Sequence, residues 1–199
     1  MRKILIAATM IGATAAATSA NAESYGKIFG GATYGSDHDV VVTTGAVAAP
    51  GEFDTDTGYA VGGAYGYNIN QFFAVEGEIA YRSNEIDSST VAAAGLVDDD
   101  INSLSFMGNA IFNAPTYAGF TPYVGAGAGV ARIGALNDHD TVFAYQAFGG
   151  VKKGITQNID AGLEYRYFDA DTASLVNGGT LLDTEYDSHS LNVVFSRKF

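Results

Sequence analysis

Apolar and polar positions alternate with period two along most of this chain, the rhythm of a strand whose side chains fall on opposite faces. Residues 159–169 show it most clearly. Ile159, Ala161, Leu163, Tyr165 and Tyr167 form one row, and Asp160, Gly162, Glu164, Arg166 and Phe168 form the other. Seven further segments follow the same rule: 25–35, 58–68, 72–83, 103–113, 121–133, 141–152 and 189–199. In 72–83, Phe73, Val75, Gly77, Ile79 and Tyr81 oppose Glu76, Glu78 and Arg82. In 58–68, Tyr59, Val61, Tyr65 and Tyr67 oppose the small Ala60, Gly62, Ala64 and Gly66. Segment 121–133 is so rich in Gly and Ala that its facing stays open.

A soluble sheet hides its apolar row. Here the apolar row is crowned by tyrosines, and the opposite row carries Glu and Arg. That arrangement suits strands whose outer face meets lipid and whose inner face meets a polar lumen, and about ten residues is the length of a tilted membrane strand. Stretch 101–131 is uncharged, but Pro115, Pro122, three Asn and five Gly make it a hairpin and not a spanning helix. Without a helix, only a closed barrel crosses a bilayer. The predicted fold is therefore all-β: an eight-stranded antiparallel up-and-down transmembrane barrel.

The ends and the loops sharpen this picture. Arg2 and Lys3 precede an apolar run and Ala20-Asn21-Ala22, so residues 1–22 read as a secretory signal and 23–199 as one barrel domain. The connections after the second, fourth and sixth segments are short; those after the first, third and seventh are long, and the one after the fifth is intermediate. Short turns belong on the periplasmic side, which places both termini there. The four longer connections hold 17 of the 22 acids and no Lys or Arg, while Lys152, Lys153, Arg197 and Lys198 mark the other end. A net charge of −12 excludes nucleic acid as a partner. Absence of Cys excludes disulfides and thiolate metal sites.

Candidate chemistry is sparse. Lys27, Glu76, Glu78, Arg82, Gln146, Lys152, Glu164 and Arg166 share the inward row, and the third and seventh strands of eight face each other across the lumen. A polar core of paired charges is predicted there, with Arg166 and Glu76 as one expected pair, because eight strands leave room only for side chains. A gate or proton path is the functional alternative. Asp98-Asp99-Asp100, with Asp37 and Asp39, lack the spacing of a calcium loop and read as solvated acids, so no metal and no cofactor is predicted. His38, His139 and His189 are the only histidines. Ser190, His189 and Asp187 suggest a hydrolase triad, but adjacent strand residues point to opposite faces and do not converge.

The runs FTPYVGAGAGVAR (120–132), AYQAFGGV (144–151) and LEYRYFDA (163–170) resemble the proteobacterial outer-membrane β-barrel family. That family includes OmpA/OmpX-type barrels and surface antigens of the Wolbachia surface protein kind. The resemblance implies a bacterial outer-membrane location and a role in adhesion, antigenicity or envelope integrity. It also implies a C-terminal assembly signal, here Leu191, Val193, Phe195 and Phe199, read by the barrel-assembly machinery; Arg197 stands where an aromatic is usual. The implied partners are outer-membrane lipid, lipopolysaccharide and an extracellular partner reached through the loops, with the barrel as a monomer. The rival readings are a narrow diffusion pore, a lipid-modifying outer-membrane enzyme and a soluble lipocalin-like carrier. Inward Glu and Arg argue against the last. Apolar runs at 40–49, 90–97 and 174–182 lie among the loop acids, and Asn177-Gly178 is a hairpin signal that would carry the last two strands above the membrane.

Overall fold

The computed structural model describes residues 23–35, 38–44, 47–53, 57–84, 101–135, 138–177 and 180–199. The predicted signal segment, Asp37 and the acids at 98–100 lie outside the described residues. Ten strands form one antiparallel sheet. They are β1 (Ser24–Gly35), β2 (His38–Thr44), β3 (Val47–Phe53), β4 (Gly58–Asn68), β5 (Phe73–Asn84), β6 (Ile101–Asn113), β7 (Phe120–Ala135), β8 (Asp138–Gly154), β9 (Ile159–Asn177) and β10 (Thr180–Lys198). Eight of them, β1 and β4 to β10, pair with their sequence neighbours and close where β1 meets β10, with Tyr25 opposite Lys198 and Gly35 opposite Ser188. Closure removes the sheet edges, which is what the absence of water in a bilayer demands. No helix among the described residues is long and apolar enough to cross a membrane.

Register fixes the shape. From Tyr25 the partners run through Gly66, Glu76, Asn109, Gly127, Gln146, Phe168 and Ser188, and return to β1 at Gly35, ten residues above the start. With a rise of ~3.3 Å per residue and a strand spacing of ~4.8 Å, that offset gives a tilt of about 40° and a radius of about 8 Å. Inward side chains from opposite walls therefore touch.

The predicted facing holds strand by strand. Ile28, Tyr59, Val61, Tyr65, Val75, Ile79, Phe106, Leu163, Tyr165 and Val193 are exposed on the outer wall, while Lys27, Glu76, Glu78, Arg82, Glu164 and Arg166 are buried inside. Segment 121–133, left open by its composition, turns out to face Tyr123, Gly125, Gly127, Gly129, Ala131 and Ile133 inward. The reason is space. A Cβ on Gly125 would lie 2.4 Å from the Phe148 ring, and one on Gly127 would lie 1.9 Å from Asn109 Oδ1. On β4, Gly66 likewise leaves room for Tyr25, and Gly62 for Phe29.

Three short turns share the end that carries both termini. In the first, Asn70 Oδ1 accepts hydrogen bonds from the amides of Phe72 and Phe73 at 2.8 and 2.9 Å. In the third, Thr156 Oγ1 caps Ile159 in the same way at 3.1 Å. Between β6 and β7 the chain reverses through Ala118 and Gly119, both at positive φ, where glycine is at home.

At the opposite end the structure corrects the loop assignment. The long loop expected after the seventh strand and the intermediate one after the fifth are mostly strand, because β9 runs on to Asn177, β10 starts at Thr180, and β7 and β8 extend to Ala135 and Asp138. The Asn177-Gly178 signal thus marks a real hairpin. The first long loop also folds: β2 and β3 pair with each other, and β2 pairs with the upper part of β10, Thr180 to Thr184. Above the closed barrel stands a four-stranded sheet in the order β9, β10, β2, β3.

Candidate functional site

Two places gather unusual chemistry: the lumen and the outer wall near the aromatic belt. In the lumen, period-two alternation on β5 turns Glu76, Glu78 and Arg82 inward, and on β9 it does the same for Glu164 and Arg166. β5 and β9 stand four strands apart in a ring of eight, so they face each other. Arg166 donates through Nη1 to Glu78 Oε1, through Nη2 to Glu164 Oε1 at 2.7 Å and through Nε to the same oxygen at 3.1 Å. Its guanidinium is 4.4 Å from the Phe29 ring centroid and 4.8 Å from that of Phe148.

Amides and hydroxyls complete the knot. Asn109 Nδ2 donates to Glu78 at 3.0 Å, and Gln146 Nε2 donates to Glu78 at 3.1 Å and to Asn109 Oδ1 at 2.8 Å. Tyr123 Oη donates to Glu164 at 3.0 Å. Nearer the termini, Glu76 accepts from Lys27 Nζ at 2.5 Å and from Tyr25 Oη at 2.7 Å. Nearer the outer end, Arg82 donates to Ser105 Oγ at 2.8 Å and lies over the Phe168 ring at 3.9 Å. Lys27, Arg82 and Arg166 thus balance Glu76, Glu78 and Glu164 within one buried set. Such charges are tolerated away from bulk water because the carboxylates are ion-paired and every member of the set is hydrogen-bonded.

The expected Arg166–Glu76 pair is not formed. Arg166 meets Glu78 and Glu164, and Glu76 belongs to Lys27. The climb of the rows around the barrel decides this, since it sets the height at which residues of facing strands meet. Lys152 faces inward as predicted but stands apart from the knot, with its ammonium 5.5 Å from the Tyr123 ring. It lines a cavity of about 610 Å³ that opens at the terminal end, together with Asp160, Asn113 and Ser196. Alternation places Phe168 and Asn109 on the inward row but not in the charge network; Tyr25, Tyr123 and the rings of Phe29 and Phe148 escaped the sequence reading. Tyr25 carried a signal, its parity with Lys27. Tyr123 did not, since it sits in the Gly/Ala-rich strand.

On the outer wall, His189 and Tyr165 are joined through Nδ1 and Oη at 2.7 Å, and the Tyr167 ring lies 5.0 Å from the imidazole. Ser188 and Ser190 are buried on the lumen side of the same strand. Ser190, His189 and Asp187 therefore do not converge, as alternation requires. Leu191, Val193, Phe195 and Phe199 of the C-terminal run face outward and are exposed. Among the described residues no three His, Asp or Glu side chains gather as a metal would need. Asp39 lies on β2 opposite Glu52.

Similar proteins agree with this geometry. The family model described as outer membrane protein beta-barrel domain matches residues 4–199. Among curated proteins none matches the chain by sequence. Of solved structures, OprG from Pseudomonas aeruginosa is similar with a TM-score of 0.66 at 18% identity, covering 88% of this chain and 96% of that one. Neisserial surface protein A gives 0.57 at 18% identity, covering 90% and 99%. AlkL, solved in DMPC bilayers, gives 0.55 at 15% identity, covering 92% and 94%. Identities this low speak for the fold alone; the family match carries the assignment. The chain belongs to the outer-membrane β-barrel domain family and is an eight-stranded barrel of the bacterial outer membrane.

Proposed function

We propose that this barrel is a non-conducting, non-catalytic surface protein: the wall anchors it, and the sheet above the outer rim meets partners outside the cell. The observation that carries this reading is the knot of Glu78, Arg166, Glu164 and Gln146, held between the Phe29 and Phe148 rings across a lumen about 8 Å in radius. A knot of interlocked side chains, with the Phe29 and Phe148 rings packed against the guanidinium, leaves no continuous water path. The opposite walls of a diffusion pore would have to stand apart at this height. Against catalysis stands the split of Ser190 and His189 onto opposite faces of β10.

The extracellular sheet supports the second half of the proposal. Chain length that a minimal barrel would leave out is spent on strands: β9 and β10 run far past their membrane portions, and β2 and β3 add to their edge. Exposed strands and acid-rich connections outside a rigid scaffold are where recognition is generally located. Planar-bilayer recording of the purified barrel is the test. The expected result is a quiet membrane. Reproducible ohmic steps that persist after residues 38–53 are deleted would overturn the proposal in favour of a pore. The same deletion, expressed on cells, should abolish attachment to the surface or matrix that the wild type binds.

A further inference from the structure

The lipid-facing wall is electrically polarised. At the outer rim Asp169, Asp171 and Asp187 lie on the outward rows of β9 and β10, with Arg132 on β7 the one outward cation among the described residues there. At the periplasmic rim the outward charges among the described residues are Lys153 on β8 and Arg197 on β10, both exposed. Each stands beside a ring of the lower belt. Lys153 Nζ is 4.9 Å from the Phe120 ring centroid, and the Arg197 guanidinium is 5.7 Å from that of Phe199. Neighbouring Lys198 turns inward and meets Asp160 at 3.8 Å. Among the described residues, neither Lys153 nor Arg197 has a carboxylate within ion-pair distance.

Register sets their spacing. Lys153 pairs with Ala161, and Ala161 pairs with Phe195, so Arg197 lies two strands over and two residues nearer the periplasm. Rows of paired residues climb from β8 to β10, and the two-residue step down cancels the climb. Both cations therefore stand at one height. Strand spacing of ~4.8 Å and a rise of ~3.3 Å put their α-carbons about 12 Å apart, close enough for a Lys and an Arg side chain to reach one headgroup. The wall between and above them is apolar, with Ile159, Leu163 and Phe195 exposed to acyl chains.

We infer that Lys153 and Arg197 clamp the phosphate of an anionic phospholipid in the periplasmic leaflet. A lone snorkelling Lys is content with any phosphate. Two cations at one level, with no carboxylate of the described residues in ion-pair distance of either, favour a lipid of net negative charge. At the outer rim the outward acids Asp169, Asp171 and Asp187 outnumber the one outward cation described there, Arg132, so the preference belongs to the terminal-side leaflet and the clamp helps to fix the barrel's depth.

Native mass spectrometry tests this on the intact barrel, released from micelles doped with equal phosphatidylglycerol and phosphatidylcholine of matched chains. The wild type should retain the anionic lipid with a preference of roughly thirtyfold, the size two interfacial cations at about 1 kcal/mol each supply, and high salt should erase it. The double variant Lys153→Gln/Arg197→Gln should bind both lipids alike. Arg132→Gln, which removes an exposed cation at the outer end of β7, should keep the wild-type preference. Parity in the wild type, an undiminished preference in the double variant, or an equal loss in Arg132→Gln would each overturn the inference. If the double variant does not insert, the two single variants decide, each expected to lose part of the preference.

Discussion

Replacing Arg166 by Ala tests the lumen reading most directly. The side chain is 1% exposed, and those of its partners Glu78 and Glu164 are fully buried. Its removal leaves two carboxylates facing each other with no cation between them. Breaking a buried pair from one side costs about 3–5 kcal/mol. The lower end applies, because Glu78 keeps its bonds from Asn109 and Gln146, Glu164 keeps that from Tyr123, and water can enter the space vacated. Loss of the contacts with Phe29 and Phe148 adds about 1 kcal/mol, so the expected total is about 4 kcal/mol. A double-mutant cycle makes the test sharper. Coupling of Arg166→Ala with Glu78→Gln should be about 1–3 kcal/mol, and coupling with Glu76→Gln below about 0.5 kcal/mol, since residues in contact couple and residues without shared partners add. Urea unfolding in micelles, followed by far-UV circular dichroism because the chain has no Trp, supplies the free energies. A cost under about 1 kcal/mol, or equal coupling to Glu76 and Glu78, would refute the network as the element that holds the lumen together.

Two further outcomes follow from the wall and its packing. Val193 lies on the outer face of β10 midway between His189 and Arg197; Val193→Arg should cost roughly 2–4 kcal/mol in bilayer refolding, and Val75→Arg, two residues from the aromatic belt at Phe73 near the terminal end, distinctly less. Gly125→Ala places a methyl group 2.4 Å from the Phe148 ring, so overpacking should lower stability by about 1–3 kcal/mol, whereas the same change at outward Gly77, with nothing within 4 Å, should leave the unfolding midpoint where it is.

The sequence alone determined which face each residue of most strands would take. Period two is a local property, and the contrast between Glu164 or Arg166 and Leu163 or Tyr165 is written into adjacent positions. The number of barrel strands, the shared end of the termini and the split of Ser190 from His189 follow from the same rhythm and from connection length. Composition silenced that signal in one strand. Gly125, Gly127 and Gly129 carry no polarity, and only the bulk of Phe148, Asn109 and Met107 on neighbouring strands decided that they face inward. Partner choice was equally out of reach. Alternation gives a face but not a height, and height comes from the ten-residue offset that accumulates around the closed sheet. That offset brings Arg166 level with Glu78 and leaves Glu76 to Lys27, while Glu164, two residues away on the same strand, stands beside Arg166 whatever the offset. The strands at 38–53 were hidden for a related reason. Outside the bilayer no lipid enforces an apolar row, so those strands are specified by backbone pairing to the edge of β10, which exists only once the barrel has closed.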